Sequence, residues 1–288
     1  MRKKIVDTII YGISITLLVS AAAFFVDMSS MGNRMGNFLV NIGIIGFDEG
    51  VSREQRERVN AVYNPSFMFA RSRVETAMTY IPIFEINDLP VAEQFARDFS
   101  MPLDSITNTD NAFIFSHNGR TLTVYKYLNY VVYLIERGAS TDYAETISKE
   151  DATRIGLEFM RGRNLPLKYN EVVVNAYGGT FVVSYVSKLS GLLNYAFPTI
   201  IEMDKTGAVF SVEYYFFEFE RLAQCNLKTM RQAYYELPVD FPADTRIDLK
   251  RATLVYFFEN SILQPAYLFE GEFEGGGRFR AFVNAARF

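Results

Sequence analysis

Tryptophan is absent from this 288-residue chain, and histidine and cysteine occur once each, as His117 and Cys225. A single cysteine excludes an intrachain disulfide and a thiolate metal cluster. A single histidine removes most hydrolase, redox and zinc chemistries. Charge of one sign is also scarce: the formal net charge is -4, too small to draw the chain to nucleic acid. No metal or cofactor is expected on these grounds. What the chain has in quantity is Tyr and Phe, 18 and 26 residues. They sit in runs such as VYKYLNYVVYLI, SVEYYFFEF and LVYFFEN, the usage of β-strands.

One long apolar run opens the chain. Arg2, Lys3 and Lys4 precede an uncharged stretch from Ile9 to Val26, about 18 residues and roughly 27 Å of helix, near the thickness of a bilayer core. The expectation is a retained membrane helix with a cytoplasmic N-terminus and an extracytoplasmic body. Cleavage at Ala21-Ala22-Ala23 as a signal peptide is the alternative. Gly12, Thr16 and Ser20 fall four apart, a stripe that would let partner helices approach closely in lipid. A second apolar stretch, NFLVNIGIIGF (37–47), is too short to span and reads as a membrane-proximal segment or a strand. The charged segment 48–60 reads as a solvated helix capped by Ser52.

Beyond Asp88 a pattern recurs: a helix, then an antiparallel meander. Asp88-Leu89-Pro90 opens a helix with Val91, Phe95 and Phe99 on one face, and Asn118-Gly119 marks a hairpin after it. Ser148 caps a second helix, with Ile155, Leu157 and Phe159 as its buried face. Strands turning at Gly178-Gly179 and at Asp204-Lys205-Thr206-Gly207 follow. Asn226 is expected to cap a third helix, NLKTMRQAYYELP, followed by a strand, a break at Gln264-Pro265, another strand, and a Gly275-Gly276-Gly277 turn. The predicted fold class is α+β: an N-terminal transmembrane helix followed by repeated helix-plus-antiparallel-sheet units. The expected divisions are 1–28 (tail and anchor), 29–85 (membrane-proximal), 86–145 (first lobe) and 146–288 (second lobe, two units).

The motifs that invite chemistry read better as structure. DKTG at 204–207 is the loop on which P-type transport ATPases carry their phosphorylated aspartate. Here it lies between two strand-like segments, with no second acidic motif to hold Mg²⁺, and a turn is the simpler reading. Ser116 and His117 are adjacent in a strand and point to opposite faces, so they cannot pair as nucleophile and base. No helix opens after Gly275–Gly277, as a phosphate loop requires. Glu213, Glu218, Glu220, Glu270, Glu272 and Glu274 alternate with aromatics along strands and read as solvated sheet faces, with paired acids of the glycosidase kind as the alternative. Cys225, just before an expected helix start, reads as a buried or unpaired thiol.

Three pieces carry a resemblance: YVSKLSGLLNYAFPTIIEMDKTGAVFSVEYYFFEF (185–219), MRQAYYELP (230–238) and LVYFFENSILQPAYLFEGEFEGGGRFRAFVNA (254–285). With the basic tail and single anchor, the chain resembles the YycH/YycI family, and within it the YycI type, over roughly residues 150–288. The resemblance implies a non-enzymatic, single-pass regulator of a WalK-like sensor histidine kinase, working with a related membrane-anchored regulator through helix and outer-domain contacts, as a homo- or hetero-oligomer, with cell-wall metabolism as output. It supplies no catalytic residue. Similar units occur in PepSY-like domains, and the alternative is a secreted or anchored module of that kind, holding a peptide, wall fragment or protease in a groove lined by Tyr and Phe.

Overall fold

The computed structural model describes residues 62–67, 74–136, 146–177, 179–238, 241 and 245–287. The expected membrane helix over 9–26, the stripe Gly12, Thr16 and Ser20, and the segments 37–47 and 48–60 lie outside them. Among the described residues no helix is long and apolar enough to cross a membrane. The expected plan of a transmembrane helix followed by repeated α+β units is overturned: the described chain is mostly strand, and its strands join one large mixed sheet. The repeats do not stand apart, because strands of one expected unit hydrogen-bond those of the next.

Helix α1 (Leu89–Asp98) is capped by the Asp88 side chain, which accepts from Val91 N. It precedes strands β3 (Ile106–Asn108), β4 (Ala112–His117), β5 (Arg120–Tyr125) and β6 (Tyr130–Ile135). Asn118 and Gly119 both have positive φ, 48° and 70°, as the two-residue hairpin turn requires. Helix α2 (Lys149–Arg161) is capped by Ser148 and leads into β7 (Glu171–Tyr177), β8 (Thr180–Leu189), β9 (Leu192–Asp204) and β10 (Val209–Tyr215). β10 pairs with β6 as well as β9, and this pairing fuses the first two units.

Both helices cover the same face of that sheet. Most of their buried side chains are small, Ala92 and Ala96 on α1 and Ala152 and Gly156 on α2, with Met160 the large one. The larger Phe95, Ile155, Leu157 and Phe159 flank the contact half-buried, while Val91, expected inside, is exposed. Small residues at the contact let the helix backbone lie close to the sheet. Beneath them Phe115, Leu122, Tyr133, Val183, Ile201 and Val212 form the main core.

The remaining strands are β1 (Val62–Pro65), β2 (Thr76–Ile83), β11 (Glu218–Leu227), β12 (Arg246–Glu259), β13 (Ile262–Phe273), β14 (Arg278–Asn284) and β15 (Ala286–Arg287). Along the sheet the order is β15-β11-β2-β13-β12-β9-β10-β6-β5-β4-β3, with β1 on β12, β14 on β13, and β7 on β8. Among the described residues only the β1–β12 and β12–β9 contacts are parallel. A second core lies under helix α3 (Met230–Tyr234), around Ile247, Leu249, Tyr267, Phe269 and Phe279.

Two local expectations change. The third helix begins not at Asn226 but after Thr229, where a complete capping box with Gln232 fixes the start. Asn226 and Leu227 are the end of β11, held by pairing to β2 and β15. Likewise Gln264-Pro265 does not break the chain: β13 runs through it. The Pro265 carbonyl accepts from Ala285 N at 2.9 Å, and the reversal falls instead at Asn260-Ser261, both at positive φ.

Candidate functional site: an aromatic sheet face

Side chains alternate along each strand. In β10, Val212 and Tyr214 point into the helix-covered core, so Ser211, Glu213 and Tyr215 take the opposite face. In β6, Val131 and Tyr133 are core, and Tyr130, Val132 and Leu134 share the face of Tyr215. On that face the rings form a continuous ladder. Tyr125 stacks on Tyr130 at 5.2 Å between centroids, and Tyr130 on Tyr215 at 4.4 Å with 12° between planes. Tyr215 stacks on Phe217 at 5.8 Å. From Phe217 the ladder branches to Phe84 at 5.6 Å, perpendicular, and to Phe197 at 4.6 Å. Phe197 touches Phe219 and Phe258.

Glu213 sits under the tyrosine end, accepting from Tyr130 Oη at 2.9 Å and Tyr215 Oη at 3.3 Å. Burial, with Tyr130 and Glu213 beside it, pushes the Tyr215 phenol well above its usual range. Tyr215 therefore stays neutral, and Glu213 accepts from both hydroxyls. The rim is open, with Leu134 47% exposed and Phe84 40%, while Tyr130 and Phe197 within the ladder are buried at 3% and 7%. Each ring pair contributes about 0.5–1.5 kcal/mol beyond its buried area, so the ladder is a stiff surface. Stiff aromatic surfaces with an open rim are what contact sites use, because little side-chain freedom is lost on binding.

The structure disperses the residues that invited chemistry. Asp204 is a turn residue whose Oδ1 accepts from Thr206 N, Thr206 Oγ1 and Ala208 N at 2.8, 2.6 and 3.0 Å; Gly207, at φ 89°, closes the turn. His117 lies at the β4–β5 hairpin with Nε2 2.9 Å from Asn118 Nδ2. Cys225 is buried in β11, its thiol donating to the Ala77 carbonyl, and burial pushes its pKa up. Gly276 and Gly277, both at positive φ, turn β13 into β14. Glu270 is held by Arg251 and Arg280, and Glu274 by Arg246 at 3.6 Å. Among the described residues no group of three His, Cys, Asp or Glu side chains could hold a metal ion.

The ladder itself was partly legible. Tyr215, Phe217 and Phe219 alternate in SVEYYFFEF, but nothing local says that Phe84, Tyr130, Phe197 and Phe258 join them.

No known family profile matches the chain, and no curated protein is similar to it at a significant level. Among solved structures, it is similar to the Bacillus megaterium YpeB C-terminal domain, with TM-score 0.45 and 16% identity, over 70% of this chain and 94% of that one. It is also similar to an uncharacterized protein from Eubacterium rectale, with TM-score 0.41 and 11% identity, over 81% and 92%. Likeness at this level carries no argument about function. Neither structure is described as a YycI-type protein, so the finer resemblance drawn from residues 185–219 and 254–285 is not established by them.

Proposed function

We propose that the chain is a non-enzymatic contact module whose aromatic sheet face docks a protein or peptide partner. The observation that supports it is the ladder from Tyr125 to Phe258, with its open rim at Phe84 and Leu134. This is the Tyr- and Phe-lined surface that a PepSY-like binding module needs. The narrower proposal, that the partner is a WalK-like sensor kinase and the output its activity, rests on the sequence resemblance alone. So do an extracytoplasmic location and a related regulator as second partner.

The test is site-specific photo-crosslinking from position 134 in the native cell, followed by Leu134→Glu and Phe84→Glu in the full chain. A defined crosslinked partner is expected, lost in both variants and kept in Tyr235→Glu, an equally drastic change at the 70% exposed C-cap of α3. Equal loss in all three variants, or crosslinking that Leu134→Glu does not alter, would remove the aromatic face from the function. Recovery of a sensor kinase as that partner would decide in favour of the narrower proposal.

A further inference from the structure

The chain contains one Asn-Gly pair, Asn118-Gly119, and the fold sets it at the tip of the β4–β5 hairpin. His117 pairs with Arg120 across the turn, so Asn118 and Gly119 are its two central residues. Both are exposed, and their positive φ values define a type I′ turn. The frame around the tip is fixed. Ser116 pairs with Thr121 behind it, and Glu136 N donates to the Gly119 carbonyl at 2.7 Å. The side-chain amide is placed too: Asn118 Nδ2 lies 2.9 Å from His117 Nε2. An amide nitrogen only donates, so Nε2 is the acceptor and Nδ1 carries the proton of the neutral ring. The Gly119 amide lies between the two central residues and takes no part in the ladder bonds of such a turn.

An Asn-Gly pair can react with itself. Gly119 N adds to Asn118 Cγ, the Cγ–Nδ2 bond breaks, and ammonia leaves behind a five-membered imide. The ring needs an asparagine ψ of about −120°, whereas a type I′ turn holds it at about +30°. One peptide flip bridges the two. Rotating the Asn118–Gly119 peptide converts type I′ into type II′, whose first central residue keeps a positive φ and has ψ of about −120°. Type II′ is the other favoured two-residue hairpin turn. The flip disturbs neither the His117–Arg120 pairing nor the bond from Glu136, because neither uses the groups of that peptide. Gly119 permits it, since its own φ must change sign. Glycine also puts no side chain in the way of its attacking nitrogen.

We propose that the β4–β5 tip is a self-modifying site, at which Asn118 becomes aspartate or isoaspartate through the cyclic imide, with water as the co-reactant. Nothing is oxidised or reduced. The proton lost by Gly119 N leaves with Nδ2 as ammonia, and His117 Nε2, beside Nδ2, carries it across as general base and then general acid. Water then opens the imide at either carbonyl. Opening at Cγ gives aspartate; opening at the main-chain carbonyl gives isoaspartate, with one more carbon in the backbone. Both products set a carboxylate beside His117, at a tip that already holds Arg120 and Glu136. The Glu136 Oε2 lies 3.2 Å from where a Gly119 Cβ would stand. The extra carbon of isoaspartate falls in a turn whose length sets the register of β4 on β5. Because ammonia is lost, the change runs one way. The site does not depend on the docking role of the aromatic face.

The experiment ages the full folded chain at neutral pH and maps its peptides by mass spectrometry, with chromatography to separate aspartate from isoaspartate. Conversion at Asn118 is expected, with ammonia released in equal amount. Hydroxylamine, which attacks the imide, should cut the chain between residues 118 and 119. Asn260-Ser261 is the internal control: an exposed turn with φ of 52° and 63°, but without the glycine or the imidazole, and it should stay intact. The folded chain should convert at least as fast as the chain in urea, where neither the turn nor His117 is in place. His117→Gln should slow folded-state conversion about tenfold, less than a positioned acid–base group usually contributes, because solvent competes at an exposed tip. The same substitution should leave the rate in urea unchanged, and Tm checks that the variant folds. The proposal is overturned by a folded rate below that in urea, which would mean that the hairpin protects Asn118. Equal conversion at Asn260, or a folded rate that His117→Gln does not change, would overturn it as well.

Discussion

At Gly156 a hydrogen atom is the side chain, and the reason is a tyrosine. A Cβ there would lie 2.2 Å from Tyr185 Oη and 3.2 Å from its Cζ. That hydroxyl donates to the Thr153 carbonyl at 2.7 Å, so it cannot swing aside without losing a bond. Helix propensity alone favours alanine by about 1 kcal/mol, but overpacking costs about 1–3 kcal/mol, and here the clash wins. Gly156→Ala is expected to lower stability by about 1–2 kcal/mol in urea unfolding. In a Tyr185→Phe background the same change should cost less than half as much, since the clashing oxygen is gone. Equal cost in both backgrounds would mean that the helix backbone, not the hydroxyl, sets the limit. None of this is legible in ATRIGLEFMRGRN, where Gly156 looks like a weak point in a helix and Ile155, Leu157 and Phe159 look like its buried face.

Among the elements, the β9–β10 turn carries the clearest electrostatic signature. Burial pushes the Asp204 carboxyl up, but the hydroxyl and amide bonds from Thr206, and the amides of Ala208 and Gly207, outweigh it and hold the group below the usual carboxylate range. A carboxyl with a depressed folded-state pKa adds stability above its unfolded pKa of about 3.9 and loses it as pH falls through the folded value. The urea midpoint should therefore fall between pH 5 and pH 3, and part of that fall should vanish in Asp204→Asn, whose Oδ1 can still accept the same bonds. An unchanged pH profile in the variant would show that the turn is not a source of acid lability. This turn, the Asn118-Gly119 hairpin and the Ser148 cap were legible because their chemistry is contained within four or five consecutive residues. The third helix was misplaced because Asn226 is a good local cap, and the ladder to β2 overrides it.

For the whole described structure, the decisive pairing is β2 between β11 and β13. Thr79 and Ala223 exchange hydrogen bonds at 3.0 and 3.2 Å, and Tyr256 Oη donates to the Met78 carbonyl at 2.9 Å. A chain beginning at Asp88, close to the expected lobe boundary at 86, lacks this strand and exposes the edges of β11 and β13. Open edges of that kind pair with other chains. Size-exclusion chromatography should find it in aggregates under conditions where the full chain elutes as a defined species. A monodisperse, folded product would show that β2 is dispensable and that the sheet closes without it.

Composition and short motifs sufficed to read the strand-rich aromatic character, most turns and two of the three helix starts, because each depends on residue type or on neighbours a few positions apart. The single large sheet and the continuity of the aromatic ladder depend on strands distant in the chain. β2 and β11 meet across 148 residues at Thr76 and Gln224. Such pairings are chosen by which faces can be buried together once the whole chain has collapsed, and that competition leaves no mark on any local stretch of letters.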